Sequence, residues 1–299
     1  NNKNIYKKSL IHFLKSVFFV PIIKWRYFIF LGAKMIRGWY TGASGMTAQQ
    51  NRLDAISNNL ANVDTTAYKR DVAVSKNFSE LLIRRMEDDG VYKTPFGSSD
   101  VAPIIGKLGL GVETNELYTI FEQGSFKGTS SNTDMALSGE GYFAVSTPTG
   151  EKYTRNGNFI IGKEGYLTTK EGYPVIGENG PIQLQDVNYI VNENGILYTS
   201  DEMTEIDRFK IVRFDNERYI KKIGSSLYEA TDISGPAFIA EGNERPGIMQ
   251  GFVETSNVNV VNEMVQMIEV NRAYEANQKT ITSEDSMMGT LWQKVAVLQ

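Results

Sequence analysis

The side chains that could do chemistry in this chain are its acids. Asp134, Glu140, Glu151, Glu164 and Glu171 could supply a carboxylate pair, the equipment of a glycosidase. All but Asp134 lie beside glycines at turn positions, where solvated acids are usual. The run Gly106-Lys107-Leu108-Gly109-Leu110-Gly111 has the glycine density of a phosphate loop. It lacks the Gly-Lys-Ser/Thr ending and a strand-turn-helix frame, so it is set aside. There is no cysteine, and the only histidine is His12. From Met35 onward, triads, thiolate or imidazole metal sites and imidazole acid–base catalysis are therefore all excluded. No catalytic, cofactor-binding or metal-ligating residue is expected, and the chain is not expected to be an enzyme. A net charge of −4 gives no electrostatic footprint for nucleic acid, and nothing points to a small-molecule substrate.

The elements that would have to position any site are more informative. Over Val258–Gln299 the residues Val260, Met267, Tyr274, Ile281, Met288 and Val295 recur every seven positions. Met264, Val270, Leu291, Trp292 and Leu298 widen that row, which predicts a long helix with a coiled-coil-like seam. Near the other end Trp39, Met46, Leu53 and Leu60 fall seven apart, and Ile56 and Val63 add a second row. This predicts a helix starting near Thr41 or Ser44 and ending near Asn62. From Gly38 to Val63 its only charges are Arg52 and Asp54. Such an amide- and hydroxyl-rich face suits packing against further protein, although an ordinary buried helix would also produce it.

Between the helices, turn signals recur at Asn156-Gly157, Glu164-Gly165, Glu171-Gly172, Asn179-Gly180 and Asn194-Gly195. They separate short runs such as Tyr142–Ser146, Glu151–Thr154, Phe159–Ile161 and Tyr173–Ile176, which read as antiparallel strands. Phe78–Met86 reads as a short helix and Tyr92–Gly111 as extended chain or loop. The fold class expected is α+β: terminal heptad helices pairing as a coiled-coil-like domain, with an inserted antiparallel β-rich domain. The segments are 1–34, an N-terminal extension; 35–70, the first helix; 71–136, a connector; 137–250, the β-rich domain; and 251–299, the C-terminal helix. Residues 1–34 carry seven Lys/Arg and no acid. They read as a non-native upstream extension, with a basic membrane anchor as the alternative.

The first helix is the shorter of the two, so part of the long seam lacks an intramolecular partner and should pair between subunits. The residues expected at that interface are Trp39, Met46, Leu53, Ile56, Leu60, Val63, Val260, Met264, Met267, Tyr274, Ile281, Met288, Leu291, Trp292 and Val295.

The residues at both ends also carry a family resemblance. Ala43-Ser44-Gly45-Met46, Ile56-Ser57-Asn58-Asn59-Leu60-Ala61-Asn62-Val63 and Tyr68-Lys69-Arg70 resemble the N-terminal signature of bacterial flagellar rod and hook axial proteins. The segment Gln250 to Val260 and the run Arg272-Ala273-Tyr274-Glu275-Ala276-Asn277 resemble the C-terminal one. Leu137 to Val145 and Tyr153-Thr154-Arg155-Asn156-Gly157 resemble the family's β-domain motif. The resemblance implies a structural, self-assembling subunit of the flagellar basal-body rod that transmits torque and encloses the export channel. Its partners would be further copies, other rod proteins and the flagellar export apparatus. It would span the periplasm and leave the cytoplasm without a cleaved signal peptide. Within the family the chain resembles the proximal-rod (FlgF) type first and the distal-rod (FlgG) type next. A peptidoglycan-cleaving enzyme or a cell-surface binding module using the β domain is the remote alternative.

Overall fold

The computed structural model describes residues 38–84, 91–94, 97–100, 104–184, 189–199, 204–224, 226–240, 242 and 245–296. The basic segment 1–34 lies outside them. The described residues are α+β: two α-helices, α1 over residues 38–61 and α2 over Val260–Ala296, with many antiparallel strands between them. It divides into two compact units. Among the described residues no helix is long and apolar enough to cross a membrane.

One unit holds the greater part of the β structure, together with residues 54–73 and the start of α2 to Ile268. Its largest sheet has six strands. Their order is Lys221–Gly224, Leu227–Glu229, Gly150–Thr154, Tyr142–Thr147, Ile211–Arg213 and Phe238–Ile239, each antiparallel to its neighbour. The strand Tyr142–Thr147 is apolar at consecutive positions, so both of its faces must be covered. Successive side chains point to opposite faces. Phe143 and Val145 accordingly enter one core with Phe159, Leu167, Phe209 and Ile211. Tyr142 and Ala144 enter a second core with Tyr153, Val212, Phe214 and Tyr228. Edge-to-face ring pairs pin both sides: Phe143–Phe159 at 5.2 Å and Tyr142–Phe214 at 5.5 Å. Smaller antiparallel pairs complete the unit, among them Met135–Ser138 with Gly247–Gln250 and Phe126–Gly128 with Phe252–Glu254.

The other unit contains residues 38–53 of α1, residues 74–116 and α2 from Glu269. The long strands Asp71–Arg84 and Ile104–Thr119, most of whose residues belong to this unit, pair as a two-stranded ribbon, and Val91–Thr94 pairs antiparallel with Gly97–Asp100. The helix expected over Phe78–Met86 is therefore a strand as far as Arg84. Pairing with a 16-residue partner outweighs the helical tendency of Ser79-Glu80-Leu81-Leu82, as sheet context commonly does.

Candidate assembly site

Each helix has an inner face set by close approach. In the unit carrying the start of α1, Gly38, Gly42 and Gly45 face Glu284, Ile281 and Asn277 of α2. A Cβ on Gly42 would stand 2.9 Å from Cγ1 of Ile281, and one on Gly45 would stand 2.9 Å from Nδ2 of Asn277. A side chain at these positions would displace the facing Glu284, Ile281 or Asn277 side chain, which offsets the roughly 1 kcal/mol that glycine costs a helix. Other polar groups of α1 meet the strand Ile104–Thr119. Thr41 Oγ1 donates to the Leu110 carbonyl (2.8 Å), Ser44 Oγ accepts from the Val112 amide (3.2 Å), and Asn51 Nδ2 donates to Thr114 Oγ1 (2.9 Å). Part of the polar face expected to meet other protein is thus satisfied within the chain.

In the β-rich unit the end of α1 and the start of α2 are tied by Asn59, which is 1% exposed. Its Oδ1 accepts from the Asp71 amide (2.9 Å), and its Nδ2 donates to the Asp71 carbonyl (2.9 Å) and to Glu263 Oε2 (3.3 Å). Asn259 caps α2, accepting from the Asn262 amide at 3.1 Å.

The centre of this unit is a buried ion cluster. Glu254 Oε1 accepts from Lys69 Nζ (2.5 Å) and from the Gly124 amide (2.8 Å), while its Oε2 accepts from Arg155 Nε (2.9 Å). The Lys69 and Glu254 side chains are each 1% exposed and that of Arg155 is 5% exposed. Lys69 also donates to the Glu122 carbonyl (2.8 Å), and Arg155 donates to the carbonyls of Gly141 (2.5 Å) and Gly139. Burial pushes the Lys69 ammonium below its ordinary pKa, and the Glu254 carboxylate opposes that. Beside it, Lys222 bonds the Lys69 carbonyl (2.8 Å) and the Asp71 carboxylate (3.0 Å). Tyr68 is pushed up to about 12, by burial first and then by Asp71 and Glu263. Ala67 takes a left-handed φ of 55° while its amide donates to the Glu254 carbonyl (2.8 Å).

The expected interface residues do not share one environment. Ile56 is buried; Met46, Leu53, Leu60, Val63, Val260, Met267, Ile281 and Met288 are half-buried; Trp39, Met264, Tyr274, Leu291, Trp292 and Val295 are exposed. On α2 the innermost side chains are Glu263 and Val270, at 3% and 1% exposure. They belong to a second seven-residue row, Glu263, Val270, Asn277 and Glu284, whose polar members hide it from an apolar count. The signal available was the spacing itself, set against the glycines of α1. Of the five acids first considered, Glu140 pairs with Arg213 (2.5 Å) and Glu151 with Lys210 (2.8 Å), so both are engaged in ordinary ion pairs.

Residues 40–69 match the family described as flagella basal body rod protein, and residues 136–199 match the flagellar hook protein FlgE/F/G D1 domain. Residues 249–293 match the flagellar basal body rod FlgEFG protein C-terminal family. The flagellar basal-body rod protein FlgG of Borreliella burgdorferi is 38% identical over 85% of this chain and 97% of its own length. The chain belongs to the flagellar basal-body rod FlgEFG family. FlgG of Buchnera aphidicola from Schizaphis graminum is 36% identical over 87% of this chain and its whole length. The flagellar hook-basal body complex protein FlhO of Bacillus subtilis is 34% identical over 85% of this chain and 96% of its own length. These relatives, with those of Caulobacter vibrioides and Bacillus subtilis, include rod proteins named FlgG, which favours the distal-rod type over the proximal-rod type expected first. The family is one of structural rod proteins, not of enzymes. One residue from each matched segment, Lys69, Arg155 and Glu254, meets in the buried cluster.

Two outcomes follow from this geometry. Glu254→Gln leaves two buried cations uncompensated and should cost roughly 3–5 kcal/mol in denaturant unfolding. In a cycle with Lys69→Met the double variant should lose less than the sum of the singles, and additive losses would contradict the pairing. Gly42→Val should lower the helical melting temperature in circular dichroism, whereas an open helix position would gain from losing a glycine.

Proposed function

We propose that this chain is a structural, self-assembling subunit of the bacterial flagellar basal-body rod, of the distal-rod (FlgG) type. The rod reading rests on the family and the distal type on the FlgG relatives, so the proximal-rod reading is set aside. Further copies, other rod proteins and the flagellar export apparatus are its partners in this reading. The same reading has it leave the cytoplasm without a cleaved signal and span the periplasm around an export channel. Its mechanism is packing rather than catalysis.

The observation that carries self-assembly is a second apolar stripe on α2. Val261, Met264, Val265 and Ile268 are 68%, 48%, 50% and 53% exposed. Their spacing of three, one and three places them on one helix face, apart from the buried Glu263 and Val270. Only Met264 was foreseen from the sequence. Covering such side chains contributes about 1.5–3 kcal/mol each, and a contiguous exposed apolar patch marks an interaction surface. Toward the end of the helix Met287, Leu291 and Val295 are also exposed, at 49%, 37% and 44%. In this reading α2 holds α1 with its inner rows and a neighbouring copy with its outer one.

Val265→Asp together with Ile268→Asp should leave the unfolding of the isolated chain within about 0.5 kcal/mol of the parent, as for exposed sites. The pair should abolish recovery of the protein in purified basal bodies and stop swimming. Normal rods from this variant would remove the outer stripe from the interface.

A further inference from the structure

A pocket of about 460 Å³ opens beside the buried cluster in the β-rich unit. Its walls include Lys69, Arg155, Glu140, Tyr142, Glu122 and Glu217. The charges around it do not pair evenly. Lys69 and Arg155 both bind Glu254, and Arg155 places its remaining nitrogens on the carbonyls of Gly139 and Gly141. Arg213 is held at 2.5 Å by Glu140. Glu217, on the short turn Glu217–Tyr219, is half-buried, and its carboxylate makes no hydrogen bond or ion pair among the described residues. Every cation facing it is committed to another acid, and Glu140 adds a like charge nearby.

We propose that Glu217 is a proton-binding site that couples the stability of the β-rich unit to pH, so that mild acid stabilises the unit by removing a half-buried, unpaired charge. The groups facing Glu217 are Lys69 after α1, Glu122 before the strand Phe126–Gly128, and Glu140 and Tyr142 at the start of the strand Tyr142–Thr147. Arg155 and Arg213 follow from the neighbouring strands, with Glu254 behind Lys69. Protonation removes a charge that burial disfavours, and it ends the repulsion with Glu140. Burial first, and Glu140 second, hold the Glu217 carboxyl above the ordinary carboxylate value of 4.5, with Arg155, Arg213 and Lys69 acting in the opposite sense. A group raised in the folded state binds more protons folded than unfolded. Its contribution is complete below the unfolded value and disappears as pH rises through the folded one. Most buried carboxylate pairs give the reverse slope, so the two behaviours are separable.

The test is thermal unfolding of the full chain and of Glu217→Gln, followed by tyrosine near-ultraviolet dichroism from pH 7.5 down to pH 4.5. Glutamine is neutral throughout, so this variant should melt above the parent at pH 7.5, by a shift on the order of 2–4 °C. The two curves should converge as the pH approaches 4.5. A constant offset across the range, or a parent that melts higher at pH 7.5, would overturn the proposal. A direct readout that needs no stable variant is the ¹³C carboxyl titration of Glu217 in the parent chain. A midpoint above 4.5 supports the assignment, and one at or below that value removes it.

Discussion

A carboxylate sealed between two cations is the constraint on which the β-rich unit depends. Glu254 is 2% exposed as a residue, and both of its oxygens are engaged. Removing such a charge from water costs several kcal/mol, which is recovered only where the opposing charges and hydrogen bonds are all in place. Lys69 and Arg155 must therefore arrive together, although they stand 86 positions apart in the chain. Lys69 comes from the segment that follows α1, and Arg155 directly follows a central strand. Glu254 ends the strand Phe252–Glu254, six residues before α2 begins. The ion cluster thus fixes where the second helix starts, and Asn259 and Asn59 complete its anchorage.

From that anchor α2 runs for 37 residues, about 55 Å. It presents two different faces. The inner row sets Glu263 against Asn59, Asn277 against Gly45 and Glu284 against Gly38 of α1, small or amide groups that let the backbones approach. The outer row is aliphatic and open. Polar inner contacts need specific partners and so specify one pairing, whereas aliphatic outer contacts accept any complementary apolar surface. A chain built to hold itself together and then to stack on copies of itself would divide its chemistry this way.

Much of the architecture was legible in the sequence. The α+β class, the two helices and most strands follow from period and turn residues. Asn194-Gly195 joins Tyr189–Val191 to Ile196–Thr199, and Gly195 takes a φ of 77°, as a hairpin turn requires. Asn156-Gly157 carries the same signal for a different reason. A Cβ on Gly157 would fall 1.6 Å from the Met135 carbonyl, so that glycine permits close approach of another strand. The strand through Phe78–Arg84 was misread because its partner lies some thirty residues away. Of the inner row of α2, Val270 was named, but Glu263, Asn277 and Glu284 were missed because they are polar. Lys69, Arg155 and Glu254 were quoted within motifs, yet nothing local to any of them says that they meet. Long-range pairing of charges has no period.

In the proposed rod, the outer face of α2 that is open in the single chain is covered by a neighbouring copy. The chain has no cysteine, so one introduced at Ile268 reports on that face alone. Maleimide labelling of Ile268→Cys should be rapid in the isolated full chain and absent in intact basal bodies until they are dissociated. Equal labelling in both states would contradict the account.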